Sequence, residues 1–374
     1  MLIEIHMLKN YPPVNLNRDD SGAPKSCFFG GVQRGRISSQ CLKRSWRKSE
    51  CFKELGEEGI RTNDMPNYVG EQLILRGIEQ KLANAATKKL TQIAKKEDKE
   101  NESQEDPDKS KGKTQTIFYT NEEIAFLIDR IEKMIVQDGN LNNFSIIFQQ
   151  LEKEKKRPLT VDMALFGRMV TSKYFDNVEA SMQVAHAIST HMVNRESDYF
   201  TAIDDLTNQA SMLDETNYSS CCYYEYAALD TDILRENLKY RTDRDALMKK
   251  LVPVLLKAMA HTNPSGKQKS FAGNIFPDMI MVELKKEKIA LSYVNAFEEP
   301  VTCWSAKGGL VQKSLEKLVN HIDCMDRAFQ LQVIHRAFFT ERFDGIHPHN
   351  CEIFDDLPSL AHACAEWMQE VENA

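Results

Sequence analysis

The chain has 374 residues, 42% hydrophobic and 28% charged, which supports a sizeable buried core in one elaborate domain or two modest ones. Nine scattered cysteines with no CxxC pair disfavour an even disulfide framework and a zinc ribbon, so a reducing, cytoplasmic setting is expected. A net charge of -7 argues on its own against a nucleic-acid binder, and no run approaches the roughly 18 apolar residues of a membrane span.

Met1 to His6 lacks a basic stretch followed by an apolar block and is not read as a signal peptide. Residues 2–8 alternate, with Ile3, Ile5 and Met7 on one side, as in a half-buried strand. Asn10 to Pro24 is rich in Pro, Asn and Asp and predicts a loop. Phe28-Phe29-Gly30-Gly31 predicts a turn, after which Arg34 and Arg36 share one face if the backbone is extended. Ser38 or Ser39 then caps a helix running to about Ser49.

Residues 56–157 read as a helical insertion, with apolar patches such as Ile124, Phe126, Leu127, Ile131 and Met134. It contains a low-complexity tract, 88–113, of Lys, Glu and Asp that is expected to be solvated or disordered. Regular patterning resumes near Val161. Val178 to Glu196 is predicted as a helix, Tyr199-Phe200-Thr201 as a short β run and Tyr218 to Leu229 as a strand. With the polar stretch Asp204 to Asn217 between them, these suggest a long hairpin-like protrusion. A helix from Asp243 to His261, despite Pro253, ends before Asn263-Pro264. A basic loop, Ser265-Gly266-Lys267-Gln268-Lys269, precedes a strand at Met279 to Leu284. The C-terminal part is expected to be helical: Val311, Leu315, Leu318, Ile322, Met325 and Phe329 form a helical seam, and Leu357 to Val371 a last amphipathic helix. No internal repeat is visible.

The charge is unevenly placed. From Lys25 to Ser49 there are seven basic residues (Lys25, Arg34, Arg36, Lys43, Arg44, Arg47, Lys48) and no acid. Lys43, Arg44, Arg47 and Lys48 fall within about 140° of one helix face, with Leu42 and Trp46 opposite. Stacked like charges repel by roughly 0.2–0.5 kcal/mol per pair, and a polyanion reverses that cost by counterion release. A solvated surface helix is the competing reading, but surface faces normally mix both signs. The pattern predicts grip on a phosphate backbone without base readout.

The residues Asn17-Arg18-Asp19-Asp20, Phe29-Gly30-Gly31, Arg36-Ile37-Ser38-Ser39-Gln40, Leu42-Lys43-Arg44 and Arg47-Lys48 closely resemble the N-terminal signature of the CasC family, the backbone subunit of the type I-E CRISPR complex Cascade. The likeness continues in Gly167 to Ser172, Ala185 to His191, Phe200 to Leu206, Lys267-Gln268-Lys269 and Asn295 to Glu298, in the same order. It covers about residues 1–50 and 158–300; the middle insertion and the C-terminal helices match poorly. The resemblance implies an α+β fold: a modified RRM, or ferredoxin-like, palm (1–55 and 158–310), helical fingers (56–157), a β-hairpin thumb (197–225) and C-terminal helices (311–374) packed on the palm. It implies a non-enzymatic subunit without cofactor or metal, whose copies line up head-to-tail along a CRISPR RNA beside other Cascade subunits and present it for pairing with target DNA. RNA contacts are implied for Asn17, Arg18, Arg34, Arg36, Ser38, Ser39, Gln40, Lys43, Arg44, Arg47, Lys48, Lys267, Gln268 and Lys269, with Met169 and Phe200 wedging against bases. Where the family often continues with basic residues after Gly30-Gly31, this chain has Val32 and Gln33.

Candidate catalytic groups are few. His186 and His191 are five apart, not the four that aligns two imidazoles on a helix, and read as packing or capping residues. His347-Pro348-His349 with Cys351 has a ligand-like spacing, but a Pro-containing loop exposes such residues without metal. Asp204-Asp205 lies where related backbone subunits carry a cutting aspartate, so a metal-dependent endoribonuclease is the alternative function; solvated or capping residues are the plainer reading. Lys267-Gln268-Lys269 is either a phosphate contact or a polar turn. Cys221 and Tyr223 alternate on a strand and are expected to pack.

Overall fold

In the computed structural model, which describes residues 1–101, 116–153, 157–170, 172, 174–206, 210–302, 308–343 and 345–373, the chain opens on β1 (Leu2–Val14). The hairpin β2 (Ser26–Phe29) and β3 (Val32–Ile37) follows, then α1 (Ser39–Arg47). Next come β4 (Ile60–Thr62), α2 (Met65–Leu75), α3 (Gln80–Asn101), β5 (Ile117–Tyr119), α4 (Asn121–Asp138), α5 (Ser145–Lys153) and α6 (Val161–Phe166). They are followed by β6 (Met182–Val184), β7 (Ala187–Ser189), β8 (Glu196–Ile203) and β9 (Ala210–Asp230). The remainder is α7 (Thr231–Asn237), α8 (Arg244–His261), α9 (Gln268–Phe271), β10 (Met279–Lys285), α10 (Leu310–Phe329), β11 (Val333–Thr340), β12 (Glu352–Phe354) and α11 (Leu357–Asn373). The fold is α+β, and among the described residues no helix is long and apolar enough to cross a membrane.

These elements form two units. The first, residues 1–55, 182–231 and 245–374, is built on a sheet of order β12-β11-β10-β1-β9-β7-β3-β2, with β6 and β8 also paired to β9. Only β11 and β12 are parallel among the described pairings. β1 is central, between β10 and β9, so both its faces are buried rather than one. On one face Leu2 and Leu8 pack with Tyr224, Met281, Phe297, Leu315 and Leu318, under α10. On the other, Lys9 Nζ donates to the Met259 carbonyl of α8 at 2.6 Å. Pro253 is tolerated inside α8, whose apolar residues are nearly all buried.

Several expectations are corrected here. The segment 10–24 is not all loop: β1 runs on to Val14, and its register against β9 shifts between Tyr11 and Val14, where Pro12 and Pro13 have no N–H for the ladder. Val178 to Glu196 is not a helix but contains β6 and β7, because β9 offers a long pairing edge. The C-terminal part is not purely helical, since β11 and β12 extend the sheet. The seam on α10 buries Val311, Leu315, Leu318 and Ile322, while Phe329 at its end is exposed. The predicted protrusion is the β8–β9 hairpin, with every residue of β8 exposed.

The second unit comprises residues 56–181 and 232–244 and has its own core, including Val69, Leu73, Leu90, Leu127, Ile131 and Phe148. It reaches beyond 157 because later residues are tied into it. Arg168 pairs with Glu123 at 2.7 Å and donates to the Phe118 carbonyl, and Asp162 accepts from Gly59 N–H. α4 opens with a capping box in which Thr120 and Glu123 each satisfy the other's backbone N–H. The expected low-complexity tract is helical as far as Asn101, with Leu90 buried; residues 102–113 lie outside the described residues.

Candidate nucleic-acid interface

The β2–β3 hairpin turns through Gly30 and Gly31, both at positive φ (59° and 76°), the conformation a two-residue hairpin favours. A Cβ at Gly30 would stand 1.7 Å from the Glu298 carbonyl oxygen, so the hairpin lies directly on the 297–298 backbone. Arg34 fills that contact. Its guanidinium donates to the carbonyls of Phe29 (3.2 Å), Ser189 (3.0 Å), Phe297 (2.7 Å) and Glu298 (3.1 Å), and it is fully buried. Arg34 is therefore a structural clamp and not the RNA contact expected from the sequence.

β3 leads into α1, whose N-cap Ser38 accepts from Cys41 N–H and in turn donates its backbone N–H to Asn17 Oδ1 at 2.9 Å. Asn17 thus fixes the helix start. Leu42 and Trp46 anchor α1 inward as predicted. The four cations do not form one open ridge: Arg44 and Lys48 are exposed, Lys43 is half-buried, and Arg47 is only 7% exposed. Arg47 is corrected to a buried position: the helix turn sets it on the cationic side with Arg44, so its cover comes from the surrounding chain and not from its place on the helix.

Arg44 and Lys48 line an open cleft of about 700 Å³ with Arg18, Asp19, Asp20, Ser45, Ser265 and Gly266. Asp19 is turned into its own loop, accepting from Ser21 Oγ, Ser21 N–H and Ala23 N–H; the Ser21 hydroxyl is the largest influence lowering its carboxyl. Among the described residues neither Arg18 nor Arg44 forms an ion pair with a carboxylate. Two exposed guanidinium groups beside one cleft, neither in an ion pair with the nearby Asp19 or Asp20, are suited to a phosphate backbone.

The remaining expected residues are dispersed. Ser39 and Arg36 meet His186, whose Nδ1 lies 3.2 Å from Ser39 N and 3.3 Å from Arg36 Nη1, and Gln40 is exposed beside them. Of Lys267-Gln268-Lys269, Lys267 lies in the turn that precedes α9 and the other two begin the helix; Lys267 donates to Thr216 Oγ1 at 3.1 Å, Gln268 donates to the Pro264 carbonyl and Lys269 is exposed. Phe200 is 41% exposed on β8, in the first unit, and Met169 is 85% exposed in the second.

His191 is not helical either. Its Nδ1 faces the Met192 carbonyl at 2.8 Å and its Nε2 accepts from Cys222 N–H. His347 contacts Cys351 Sγ (3.7 Å) while His349 pairs with Asp323 (2.7 Å). Asp204 accepts from Leu206 N–H at 2.9 Å in the hairpin turn. Cys221 and Tyr223 are buried packing residues, and burial pushes the Cys221 thiol up to about 11.

Sequence patterning missed a buried polar cluster on β1. Glu4, His6 and Glu283 bring ligand atoms within 4.8 Å of one another. Protein cations already meet them: Lys285 contacts Glu4 and lies 2.8 Å from Glu283, and Arg336 reaches Glu283 at 2.6 Å and Asp326 at 2.6 Å. Its alternation placed Glu4 and His6 on the side expected to face water.

A family model described as "CT1975-like protein" matches residues 3–364. The fold is shared with a chain of a solved structure described as "CRISPR RNA-guided surveillance complex, pre-nicking" (TM-score 0.79, 24% identity, covering 98% of this chain and 100% of that one). A second, described as "CRISPR RNA-guided surveillance complex", aligns with TM-score 0.71 and 22% identity, again over 98% and 100%. No curated protein matches the chain.

Proposed function

This chain belongs to the CT1975-like protein family, and we propose that it is a non-catalytic, CRISPR RNA-binding backbone subunit of a type I-E Cascade surveillance complex in the cytoplasm. The carrying observation is the cleft beside α1, where Arg18 and Arg44 stand exposed without carboxylate partners among the described residues, in a protein of net charge -7. An acidic protein that keeps cations along one cleft is suited to a strand that follows it. The fold shared with chains of RNA-guided surveillance complexes supports the same reading.

The middle of the sheet supports an RRM-like palm. β1, α1, the β6–β7 strand, β9, α8 and β10 follow one another along the chain, and the strands stand in the order β10-β1-β9-β7, the ferredoxin-like arrangement. The second unit then supplies the fingers and the β8–β9 hairpin the thumb. Copies add head-to-tail along the guide through a heterologous interface that does not close, beside other Cascade subunits, and target DNA is read by pairing with the guide.

The test is purification of the tagged chain from cells expressing a CRISPR array, followed by the 260/280 nm absorbance ratio and sizing of released RNA. Guide-length RNA is the expected product. Protein free of nucleic acid that also ignores single-stranded RNA at low salt overturns the reading.

A further inference from the structure

His186 occupies a position that packing alone does not explain. Val184 is opposite Ala227 and Ile188 opposite Tyr224, so four steps of this strand are set against three of β9. The extra residue makes a β-bulge between β6 and β7, a device that re-aims a side chain out of the regular pleat. Here it sends the exposed His186 imidazole to the junction of β3 and α1.

Two donors converge on one ring nitrogen there: the backbone N–H of Ser39 at 3.2 Å and Arg36 Nη1 at 3.3 Å from Nδ1. A nitrogen receiving two donors carries its lone pair, so the ring hydrogen sits on Nε2. Protonating Nδ1 would set a third donor against those two. The charged groups that face the ring, Arg36 on β3 and Lys25 before β2, oppose it as well, and burial followed by these two cations holds the imidazole below its ordinary value. His186 is thus a neutral ring of fixed tautomer, and its Nε2–H has no protein partner among the described residues.

We infer that His186 is an RNA-contacting residue, donating Nε2–H to a backbone phosphate oxygen beside Arg36, whose guanidinium it also orients. This rests on the RNA-binding reading of the α1 cleft and adds a residue that a charge pattern cannot display. The tautomer is set by a backbone amide 147 residues away in sequence.

The test compares His186→Asn, His186→Ala and Arg44→Ala in the full-length protein, by binding of fluorescein-labelled single-stranded RNA over a salt series and by thermal unfolding. Asparagine retains an acceptor for Ser39 N–H but cannot extend a donor to where Nε2 points. The expected result for His186→Asn is near wild-type stability with RNA affinity lowered about tenfold, as for one lost hydrogen bond to a charged group. Its log K against log[salt] slope stays at the wild-type value because no charge is removed. His186→Ala loses the same affinity and some stability. If His186→Asn binds as tightly as wild type while Arg44→Ala loses affinity and slope, His186 is only a cap; the inference fails and the RNA reading stands. If wild type itself does not bind, both fall together.

Discussion

Arg34 donates to the backbone carbonyl of Phe297 at 2.7 Å, and three further carbonyls share the same guanidinium. One of the residues expected from sequence to contact RNA is thereby committed to holding the β2–β3 hairpin on the 297–298 backbone. Arg34→Ala leaves these carbonyls without their donor and is expected to lower stability by about 3 kcal/mol. Denaturant unfolding measures this. Variant protein that folds is expected to keep the wild-type salt slope of RNA binding, since the buried guanidinium does not reach a phosphate.

The cluster around Glu283 makes an acid-labile joint between β10, β11 and α10. Burial pushes the Glu283 carboxyl up, but His6, Lys285 and Arg336 outweigh it and hold the group far below the ordinary carboxylate range. A carboxyl depressed in the folded state contributes stability that is complete above its unfolded value and is lost as pH falls. Wild-type unfolding free energy is expected to drop as pH goes from about 5 towards 3, the window just around and below a free glutamate. Glu283→Gln is expected to cost about 3 kcal/mol at pH 7, because Lys285 and Arg336 each lose one of two carboxylate partners and keep Glu4 and Asp326, and to show a shallower acid slope. Equal slopes in a pH series of urea titrations would contradict this.

The β8–β9 hairpin presents Tyr199, Ile203, Met212 and Leu213 to solvent, each more than half exposed. Exposed side chains add little to the monomer, so Ile203→Ser with Leu213→Ser is expected to change stability by no more than about 0.5 kcal/mol. If the hairpin engages a neighbouring copy, the same variant remains short of full assembly on guide RNA. Sizing of assembled particles distinguishes this from an unaltered filament.

Asp204 accepts from Leu206 N–H, the geometry of a residue shaping its own turn. Asp204→Ala and Asp205→Ala are expected to leave target RNA as intact as wild type does when assembled complex is incubated with Mg²⁺. Regularly spaced wild-type cuts that vanish in either variant would establish the nuclease alternative.

Local signals carried much of this fold. α1 could be read because Ser38, Leu42 and Trp46 state its cap and buried face within nine residues, and α8 because its apolar density overrides Pro253. What could not be read was set by distant partners. Arg34 looked like a surface cation since its acceptors come from residues 29, 189, 297 and 298. Glu4 and His6 looked solvent-facing because nothing local says that β1 is central and covered on both sides. β6 and β7 looked helical because their strand identity comes from pairing with β9 some 40 residues later. Of the cationic stretch, Arg44 was found where its helix position put it; Arg47 was not, as the folded chain covers it although helix geometry sets it beside Arg44.

The most direct measurement is the salt dependence of single-stranded RNA binding by the wild type and by Arg18→Ala with Arg44→Ala. Each single-strand phosphate that is no longer neutralised lowers the log K against log[salt] slope by about 0.7, so the predicted fall is about 1.4. An unchanged slope in a folded double variant would mean that the cleft beside α1 is not where the strand lies, and would contradict the account at its centre.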